Sequence, residues 1–510
     1  MKKILVNIEP WESRVAVLRD DLLENIYFSS ATDNVIEKAF FKGTVIKVFP
    51  GIQTAFVEIG QERAGFLHIS EVDRDLAVNT IEGADQLDVI HDNSIDHDET
   101  TAQSRRSHKA SISAIFKEGQ DVLVQVSKEP VGEKGAKLTT CFTLPGRFLV
   151  LMPNIGRIGI SKKIGSSQER QRLREILELN LPAGMGAIIR TSAENADAGE
   201  VTKDIQFLLK DWNEIVEKYK TAPTKTKIHE EVDISLRVVR DHLDHSVEAI
   251  VTDSKINQER IYTYLKNVAP EFKYKVVLHE GNSNLFELYN IDKQVENALC
   301  KKVYLKSGGS IIIESTEAMT SIDVNTGRFT GKNNLEDTIL KTNLEAAREI
   351  VRELHLRNIG GLIVIDFIDM NDLKNRQKLV EQFEKHLKEY DKFQSVVLAV
   401  SEFGLVQMTR KRAGKTLLRQ LTEPCSACKG TGNLKSVRAE SYEVLRAIDA
   451  KLRTLGAKGA LMLSMHPEVF DFISSVEYNS ILALEGKFGV QITFVSKPTL
   501  HKTQFEISKQ

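Results

Sequence analysis

Three oxygen-bearing side chains stand in two short segments of the chain. In SIDVNTG, Asp323 and Asn325 are two positions apart, so both leave the same face if the segment is a strand. Asp366 ends the apolar run GGLIVID, where a buried carboxylate is costly unless it pairs, accepts hydrogen bonds or binds a metal. Two aspartates and one asparagine suit Mg²⁺ or Mn²⁺, which can activate water and stabilise charge on phosphorus. The alternative is that Asp366 caps a strand or the next turn.

A second candidate for chemistry is the motif PCSACKGTG, which contains Cys425 and Cys428. Thiolates at this spacing can face one metal ion while the glycines allow a tight turn. Structural zinc takes four ligands and the sequence has one such motif, so a second copy of the chain would have to supply the other two. A redox pair and two unligated thiols remain alternatives, although the glycine run disfavours a thioredoxin-type site. Cys141 and Cys300 lie in apolar stretches and are predicted to be core residues.

A third candidate lies in residues 40–72, where β-rich runs broken by glycine and proline predict a small antiparallel barrel. Phe56 and Phe66 stand in neighbouring runs, and exposed rings on such a barrel stack nucleobases. The alternative is that both rings belong to the barrel core. Four basic residues are available to follow a phosphate backbone: Lys42, Lys47, Arg63 and Lys128. Further basic clusters occur at 162–163, 190 and 410–419, but a charge run by itself is typical of a solvated face.

Strand and helix patterns must position these side chains. The segment SGGSIIIESTEAMTSIDVNTG predicts a hairpin, and the continuous apolar run of GGLIVIDFIDM predicts a strand buried on both faces. Long helical segments follow each of them. Upstream, SSQERQRLREILELN predicts an amphipathic helix with Leu173, Ile176, Leu177 and Leu179 on one side. A βα alternation begins near residue 230, and about the last 75 residues predict a smaller α/β unit.

The composition indicates the broad class of protein to which the chain belongs. The chain has 510 residues, 41% hydrophobic and 27% charged, which excludes wholesale disorder and indicates roughly three to four domains. It holds no apolar run of membrane-spanning length, and its N-terminus becomes polar too early for a secretion signal. Four cysteines make no disulfide framework. The net charge of −2 means that any nucleic acid must be attracted by local basic patches.

The motifs together resemble the ribonuclease E/G family of bacterial endoribonucleases. The segments TEAMTSIDVNTG, TNLEAAREIVRELHLRNIGGLIVIDFIDM, PCSACKGTG and GMGAIIRTSA carry this resemblance, which extends over nearly the whole chain. The chain ends near the close of the family's catalytic region, which is the pattern of the ribonuclease G type.

The resemblance implies an α/β multidomain fold. An RNase H-like subdomain would be split between residues 1–35 and 235–298. An S1 RNA-binding barrel of the OB type (36–140, with a loop insertion at 83–110) and a 5′-sensor region (141–234) would be inserted within it. A DNase I-like catalytic subdomain (299–420), a zinc link (421–433) and a small α/β dimerisation domain (434–510) would follow.

The resemblance also implies metal-binding roles. Asp323 and Asp366 match the magnesium-binding catalytic aspartates, and Asn325 matches their asparagine neighbour. Cys425 and Cys428 match the cysteines of a structural Zn²⁺ site shared between two chains. Here Ser426 stands where the family usually has proline.

Two RNA-binding regions are implied as well. The barrel positions that contact RNA match Phe56, Phe66, Lys128 and Lys134. The pocket for a 5′-monophosphate matches Gly146, Val150, Arg190 and Thr191, with Lys162 and Lys163 in place of arginines and Phe393 in place of a basic residue. Because lysine makes single-point rather than bidentate phosphate contacts, the 5′-end preference is expected to be weaker.

The implied activity is that of a cytoplasmic Mg²⁺-dependent endoribonuclease. It would cut single-stranded, A/U-rich RNA, leave a 5′-phosphate and a 3′-hydroxyl, and act on rRNA precursors and mRNA as a homodimer or higher homo-oligomer, without a membrane partner. The alternative is a non-catalytic S1-type RNA-binding regulatory protein. The Asp323, Asn325 and Asp366 set favours the enzyme, because a protein that only binds RNA has no use for carboxylates that repel phosphate.

Overall fold

The computed structural model describes residues 1–30, 35–73, 111–130, 134–281, 283–327, 335–391, 393–401, 403–412, 414–455, 459–502 and 504–509. The predicted loop insertion at 83–110 lies outside these residues. Contacts divide the chain into two compact units, 1–417 and 418–510. None of the helices within the described ranges combines the length and apolar character that crossing a membrane requires.

Two distant segments of the chain form one five-stranded sheet, the N-terminal sheet. Its strands are, in spatial order, Val276–Leu278, Val247–Thr252, Lys2–Ile8, Glu12–Arg19 and Leu22–Ser30. The last three are antiparallel, and Val247–Thr252 runs parallel to Lys2–Ile8. Helices Ile234–His242 and Lys255–Val268 pack on one face, and helices Leu285–Leu288 and Ile291–Leu299 pack on the other. An RNase H-like identity for this sheet stays a prediction.

The barrel predicted from the sequence is present. Five strands close on themselves in the order Phe40–Phe49, Thr54–Glu58, Gly65–His68, Lys137–Thr139 and Asp121–Lys128. Strand Thr226–His229 pairs with the first of them, and helix Ile112–Ile115 contributes to the core. Valine, isoleucine and leucine side chains that alternate along the strands fill the interior. The closed five-stranded barrel is consistent with the predicted S1-like OB fold.

A four-stranded sheet, the pocket sheet, follows the barrel. Its strands are, in spatial order, Ile158–Ile160, Gly186–Ile189, Leu149–Met152 and Leu144–Pro145. Helices Ser167–Asn180 and Ala198–Thr221 bury their apolar faces against it. Leu173 and Leu177 are in this core, but Leu179 is 85% exposed. Its predicted position on the apolar side was wrong, because two residues beyond Leu177 a helical side chain points to nearly the opposite face.

The aspartate sheet has six strands. They are, in spatial order, Lys302–Tyr304, Ser310–Ser315, Met319–Asn325, Gly361–Asp366, Leu405–Arg410 and Ser395–Val397. The predicted hairpin is formed by the second and third strands. Helix Leu335–Leu356 connects the two central, parallel strands, and it packs with helix Leu373–Tyr390 against one face of the sheet. A DNase I-like identity for this subdomain stays a prediction.

Within the part of the chain that the structure describes, helices cover only one face of the aspartate sheet. Ile363 and Ile365 are fully buried beneath them, whereas Leu362 is 45% exposed and Val364 is half-buried. The expectation of burial on both faces was therefore wrong. The uncovered face, called here the open face, is the one that carries the candidate catalytic residues.

The second unit is the smaller α/β fold that the sequence predicted. The short helix Leu417–Leu421 leads into it. Its helices are Val437–Leu455, Pro467–Ser475 and Tyr478–Phe488, and its strands are Ala460–Met465, Gln491–Ser496 and Phe505–Lys509. The first strand is central, parallel to the second and antiparallel to the third. Its alternate residues Leu461, Leu463 and Met465 enter the core of this unit.

Candidate functional site

Asp323 and Asp366 are register partners at the ends of two adjacent parallel strands. Strand alternation sends Ile322 into the core and turns Asp323 and Asn325 to the open face. Asp366 lies on the same face, because its neighbour Ile365 is buried. The two carboxylates are therefore side by side and exposed, and the buried position expected for Asp366 was wrong.

The charges at this pair favour a cation. Asn325 Nδ2 donates a hydrogen bond to Asp323 Oδ2 over 2.7 Å. The pKa of Asp366 is raised, first by partial burial and then by the negative charges of Asp323 and Asp369. A pKa raised by like charges shows a surplus of negative charge, which a divalent cation would neutralise. The donor set therefore fits Mg²⁺.

Protein ligands alone would not complete such a site. Within the described ranges, no group of three or more His, Cys, Asp or Glu residues is arranged to hold a metal ion. Mg²⁺ typically keeps several waters and takes only one or two carboxylates together with substrate phosphate oxygens. Two aspartates on an open face leave room for both.

Two residues near the pair were missed by sequence reasoning. Asp369 lies in the loop after Asp366 and adds negative charge to it. Asn343 is fully buried; its Nδ2 donates to the Ile368 carbonyl over 2.8 Å, and its Oδ1 accepts from the Ile368 amide over 3.1 Å. Asn343 thus fixes this loop against helix Leu335–Leu356. An asparagine within the apolar face of a helix is the signal that the sequence offered.

A row of side chains crosses the outer surface of the barrel, one from each strand. Cross-strand pairing links Lys47 to Phe56, Phe56 to Phe66, Phe66 to Lys137 and Lys137 to Lys128. Residues paired in this way share a face of the sheet. Phe56 and Phe66 are half-buried and lie outside the barrel core, so the alternative that both are core residues is wrong. We call these five residues the barrel row.

An additional ring and one further exposed lysine lie near the barrel row. Phe49 contacts Phe56 edge-to-face with ring centroids 5.5 Å apart, and Lys47 Nζ lies 5.1 Å from the Phe49 centroid. Lys134 is exposed just before strand Lys137–Thr139. Lys42 is not part of this surface, because its Nζ donates to the carbonyls of Tyr219 and Ala222.

A cavity of about 1120 Å³ lies between the pocket sheet and the N-terminal sheet. Four of the six predicted 5′-phosphate residues line it, and so does Phe393; the four are Lys162, Lys163, Arg190 and Thr191. Thr191 begins the 3₁₀ turn Thr191–Ala193 after strand Gly186–Ile189. The structure therefore brings these four residues to one cavity.

Gly146 and Val150 are not among the residues that line this cavity. A Cβ added at Gly146 would come within 2.6 Å of Asp204 Oδ2. Asp204 is buried and accepts hydrogen bonds from the backbone amides of Arg147 and Phe148. Gly146 is thus needed for the close approach of this carboxylate, and Val150 lies in strand Leu149–Met152 beside it.

Two of the predicted phosphate-binding cations, Arg190 and Lys163, already have protein partners. Arg190 Nη1 donates to Asp241 Oδ1 over 2.6 Å. Burial alone would raise the pKa of Asp241, but the guanidinium groups of Arg240 and Arg190 hold it below its usual value. Lys163 Nζ donates to the carbonyls of Asp391 and Phe393, and burial lowers the pKa of Lys163. An incoming phosphate would therefore compete with these partners.

Arg410 does not belong to an exposed basic patch. Its Nε donates to Asp391 Oδ2 over 2.6 Å and its Nη2 donates to Asp391 Oδ1 over 3.0 Å, with both side chains almost fully buried. Its guanidinium also lies 4.7 Å from the centroid of the Phe393 ring. Arg410 therefore fixes the segment that carries Phe393 at the wall of the cavity.

In the second unit, Cys425 and Cys428 stand in a tight turn. The Lys429 amide donates to the Cys425 carbonyl over 2.7 Å, and Lys429, Gly430 and Gly432 all have positive φ. The backbone amides of Gly432 and Gly430, followed by the thiol of Cys425, lower the pKa of Cys428. A lowered pKa favours the thiolate, which is the form that binds zinc, so the residues fit this ion.

The structure also shows the burial of the other two cysteines and the setting of the Cys425–Cys428 turn, which bears on the redox alternative. Cys300 is exposed and Cys141 is only half-buried, so the expectation that both are core residues was wrong. The Cys425–Cys428 turn lies between helices Leu417–Leu421 and Val437–Leu455, with no strand directly before it. It therefore lacks the strand–motif–helix setting of a thioredoxin-type redox site.

Comparisons with known proteins cover nearly the whole chain. A model described as the Ribonuclease E/G family matches residues 143–413, and one described as the RNase E/G, Thioredoxin-like domain matches residues 424–510. Ribonuclease G of Haemophilus influenzae is 36% identical over 506 residues, and Ribonuclease G of Escherichia coli strain K12 is 35% identical over 507 residues; each alignment covers 99% of both chains. Ribonuclease E of Haemophilus influenzae is 33% identical over 510 residues, which cover 99% of this chain and 52% of that protein.

Proposed function

This chain belongs to the ribonuclease E/G family and is an endoribonuclease, and we propose that it cuts single-stranded, A/U-rich RNA with an Mg²⁺ ion held by Asp323 and Asp366. The observation that carries this proposal is the pairing of the two aspartates in register on the open face. Carboxylates in that position would repel the phosphates of RNA unless a cation bridged them. A protein that only binds RNA gains nothing from them, which argues against the regulatory alternative.

Each residue at the site has a distinct task. Asp323 and Asp366 hold the ion, and the hydrogen bond from Asn325 orients the Asp323 carboxylate. Asn343 fixes the loop that follows Asp366. When bound, Mg²⁺ supplies neutralisation of phosphate charge and lowers the pKa of water, so no nucleophilic side chain is needed. Hydrolysis would leave a 5′-phosphate and a 3′-hydroxyl.

RNA affinity would come from the barrel row rather than from the acidic site. Phe56 and Phe66 offer ring faces to successive bases, while Lys47, Lys128 and the exposed Lys134 follow the phosphates. Such stacking tolerates many sequences, because every base has a π-face. This surface suits single-stranded RNA, whose bases are accessible.

The cavity beside the pocket sheet would recognise the 5′-monophosphate end. Arg190 and Thr191 supply a guanidinium and a hydroxyl. Lys162 and Lys163 add ammonium groups, each of which makes a single-point contact with phosphate. Because Asp241 already pairs with Arg190, a phosphate must replace or share that partner. The preference for a monophosphorylated end is therefore expected to be modest.

The larger setting of this activity is inferred from the same family membership. The enzyme would act in the cytoplasm on rRNA precursors and mRNA, in rRNA maturation and mRNA decay. Two chains would share one Zn²⁺ through Cys425 and Cys428, forming a homodimer or part of a higher homo-oligomer. The tight turn and the lowered pKa of Cys428 support this arrangement.

A cleavage assay tests the proposed function directly. End-labelled single-stranded RNA is incubated with the protein and Mg²⁺, then with EDTA, then with Mg²⁺ restored. We expect internal cleavage that EDTA stops and Mg²⁺ restores, with 3′-hydroxyl ends that a ligase accepts. Cleavage that continues in EDTA would exclude the metal assignment, and RNA binding without any cleavage would favour the regulatory alternative.

Removing either ring of the barrel row should weaken RNA binding. For Phe56→Ala and Phe66→Ala we expect the Kd for single-stranded RNA to rise about 5- to 150-fold, since one base stack contributes about 1–3 kcal/mol. Fluorescence anisotropy measures this change. Trp11→Ala is the matched control, because Trp11 is an exposed aromatic residue outside the barrel. An unchanged Kd in both phenylalanine variants would contradict the assignment.

Removing the guanidinium from the cavity should reduce end recognition. Arg190→Ala should narrow the difference in cleavage rate between 5′-monophosphate and 5′-hydroxyl RNA. Asp241→Asn is the matched opposite variant, because it removes the competing partner of Arg190 and should widen that difference. Paired rate measurements on the two RNAs provide the test. If the wild-type enzyme shows no difference, the lysines and Phe393 have removed end sensing and the assignment is wrong.

A further inference from the structure

An exposed aromatic ring lies at the edge of the candidate active site. Phe403 is 87% exposed, although burial of a phenylalanine ring away from water is favourable. It belongs to the connection between strands Ser395–Val397 and Leu405–Arg410. None of the roles assigned above uses this ring.

Hydrogen bonds connect three residues in the turn around Phe403, namely Ser401, Gly404 and Leu405. The Ser401 amide donates to the Leu405 carbonyl over 2.9 Å, and the Gly404 amide donates to the Ser401 carbonyl over 3.0 Å. The Leu405 amide donates to Ser401 Oγ over 3.1 Å. Gly404 has a φ of +80°, which a residue with a side chain would adopt only under strain. These contacts fix Gly404 and Leu405, which directly follow Phe403, while the Phe403 ring itself is exposed.

This turn is in contact with the acidic site. Leu405 is the register partner of Asp366 on the neighbouring strand. A Cβ added at Gly404 would lie 3.0 Å from Asp369 Oδ1, so the turn packs directly against the loop that follows Asp366. Met370 and Val400 line the same small void of about 10 Å³ between the two segments. Phe403 is thus presented at the end of the sheet where the aspartates lie.

We propose that Phe403 stacks on a base next to the cleaved phosphodiester and so helps to select which bond is cut. This inference rests on the proposed function, since a phosphodiester placed at Asp323 and Asp366 brings its flanking nucleotides to this edge. The carboxylates of Asp323, Asp366 and Asp369 disfavour an acidic partner and repel phosphates, whereas a neutral base can lie against a neutral ring. Exposed aromatic rings are the usual stacking surface for single-stranded RNA.

Substitutions that separate stacking from simple apolar contact test this role. Phe403→Ala and Phe403→Leu should each lower kcat/KM about 5- to 150-fold and blur the cleavage pattern, since one stack contributes about 1–3 kcal/mol. Phe403→Trp should keep the wild-type kcat/KM and the wild-type cleavage pattern. Tyr274→Ala is the matched control, because Tyr274 is an exposed aromatic residue in the 3₁₀ segment Pro270–Lys275, outside the aspartate sheet.

A binding measurement gives a second readout that needs no cleavage. RNA carrying 2-aminopurine beside the mapped bond is added, with Mg²⁺, to Asp366→Asn protein that also carries each Phe403 variant. Stacking quenches this fluorophore, so we expect quenching with Phe403 and Phe403→Trp but not with Phe403→Ala. The mass of each variant is measured by light scattering.

The possible outcomes distinguish failure of this inference from failure of the proposed function. If wild-type protein does not cleave RNA, the proposed function fails first. If Asp366→Asn abolishes cleavage while Phe403→Ala keeps the cleavage pattern, kcat/KM and quenching, only the inference is wrong. If Phe403→Ala lowers the mass and leaves quenching intact, the ring contacts a second copy of the chain, which also overturns it.

Discussion

Asp323→Asn and Asp366→Asn are each expected to abolish Mg²⁺-dependent cleavage without weakening RNA binding. Each change removes one of two anionic ligands that lie in register on the open face. Losing several kcal/mol of charge stabilisation in the transition state corresponds to a fall of about 10³-fold or more in kcat. RNA affinity should hold or increase, because the barrel row is intact and one source of phosphate repulsion is gone. Cleavage of labelled RNA and anisotropy measure the two effects.

Glu314→Gln is the matched control for these variants. Glu314 is an exposed carboxylate on the neighbouring strand Ser310–Ser315, and it pairs with Lys301 rather than with the aspartates. Its loss changes the charge of the sheet equally but should leave kcat unchanged. Asn325→Ala should give a partial loss, because the Asp323 carboxylate would remain without its hydrogen bond. Full cleavage activity in either aspartate variant with Mg²⁺ present would refute the metal assignment.

The local part of this site could be predicted from the sequence. Alternation of apolar and polar residues in SIDVNTG placed Asp323 and Asn325 on one face, and the strand has that pattern. A strand, a long helix and a second strand also predict parallel neighbours, because such connections return to the same sheet. No local pattern predicts the strand register that places Asp323 beside Asp366, because this register depends on how the connecting helix packs.

The errors share a physical cause. A continuous apolar run suggested that Leu362 is buried, but burial depends on whether a distant segment covers that face, and here helices cover only the other one. Arg410 was grouped with exposed cations because its partner, Asp391, lies nineteen residues earlier. Lys42 was named among the basic residues available to RNA, but it binds carbonyls at the end of helix Ala198–Thr221. Each outcome is decided by a long-range contact.

The parts of the function that depend on the family resemblance have uneven geometric support. Lys162, Lys163, Arg190 and Thr191 meet at one cavity although they come from separate elements. Gly146 instead makes room for the buried Asp204, which accepts backbone hydrogen bonds. A role for Gly146 in end recognition would therefore be one of positioning the adjoining backbone.

Replacing the two turn cysteines is expected to remove zinc and to weaken the dimer. One turn offers two thiolates, whereas a closed structural zinc site takes four ligands, and in the proposed dimer two-fold symmetry would supply the missing pair. Wild-type protein should therefore contain one zinc ion per two chains. Because a structural zinc site contributes on the order of 10 kcal/mol, Cys425→Ser/Cys428→Ser should lose the metal and most of the dimer mass. Elemental analysis and light scattering measure both quantities on the same samples.

Cys300→Ser controls for the loss of a thiol elsewhere in the chain. Cys300 is exposed, belongs to the first unit and has its Sγ directed to the Glu296 carbonyl, so its removal should leave zinc content and mass unchanged. Apolar contacts of the second unit can retain some dimer in the double variant, so zinc content and mass must be compared over a range of protein concentrations. Zinc lost together with the dimer at low concentration supports the shared site. A zinc-free wild-type dimer, or one zinc ion per monomeric chain, would exclude it, because neither arrangement joins four thiolates from two chains.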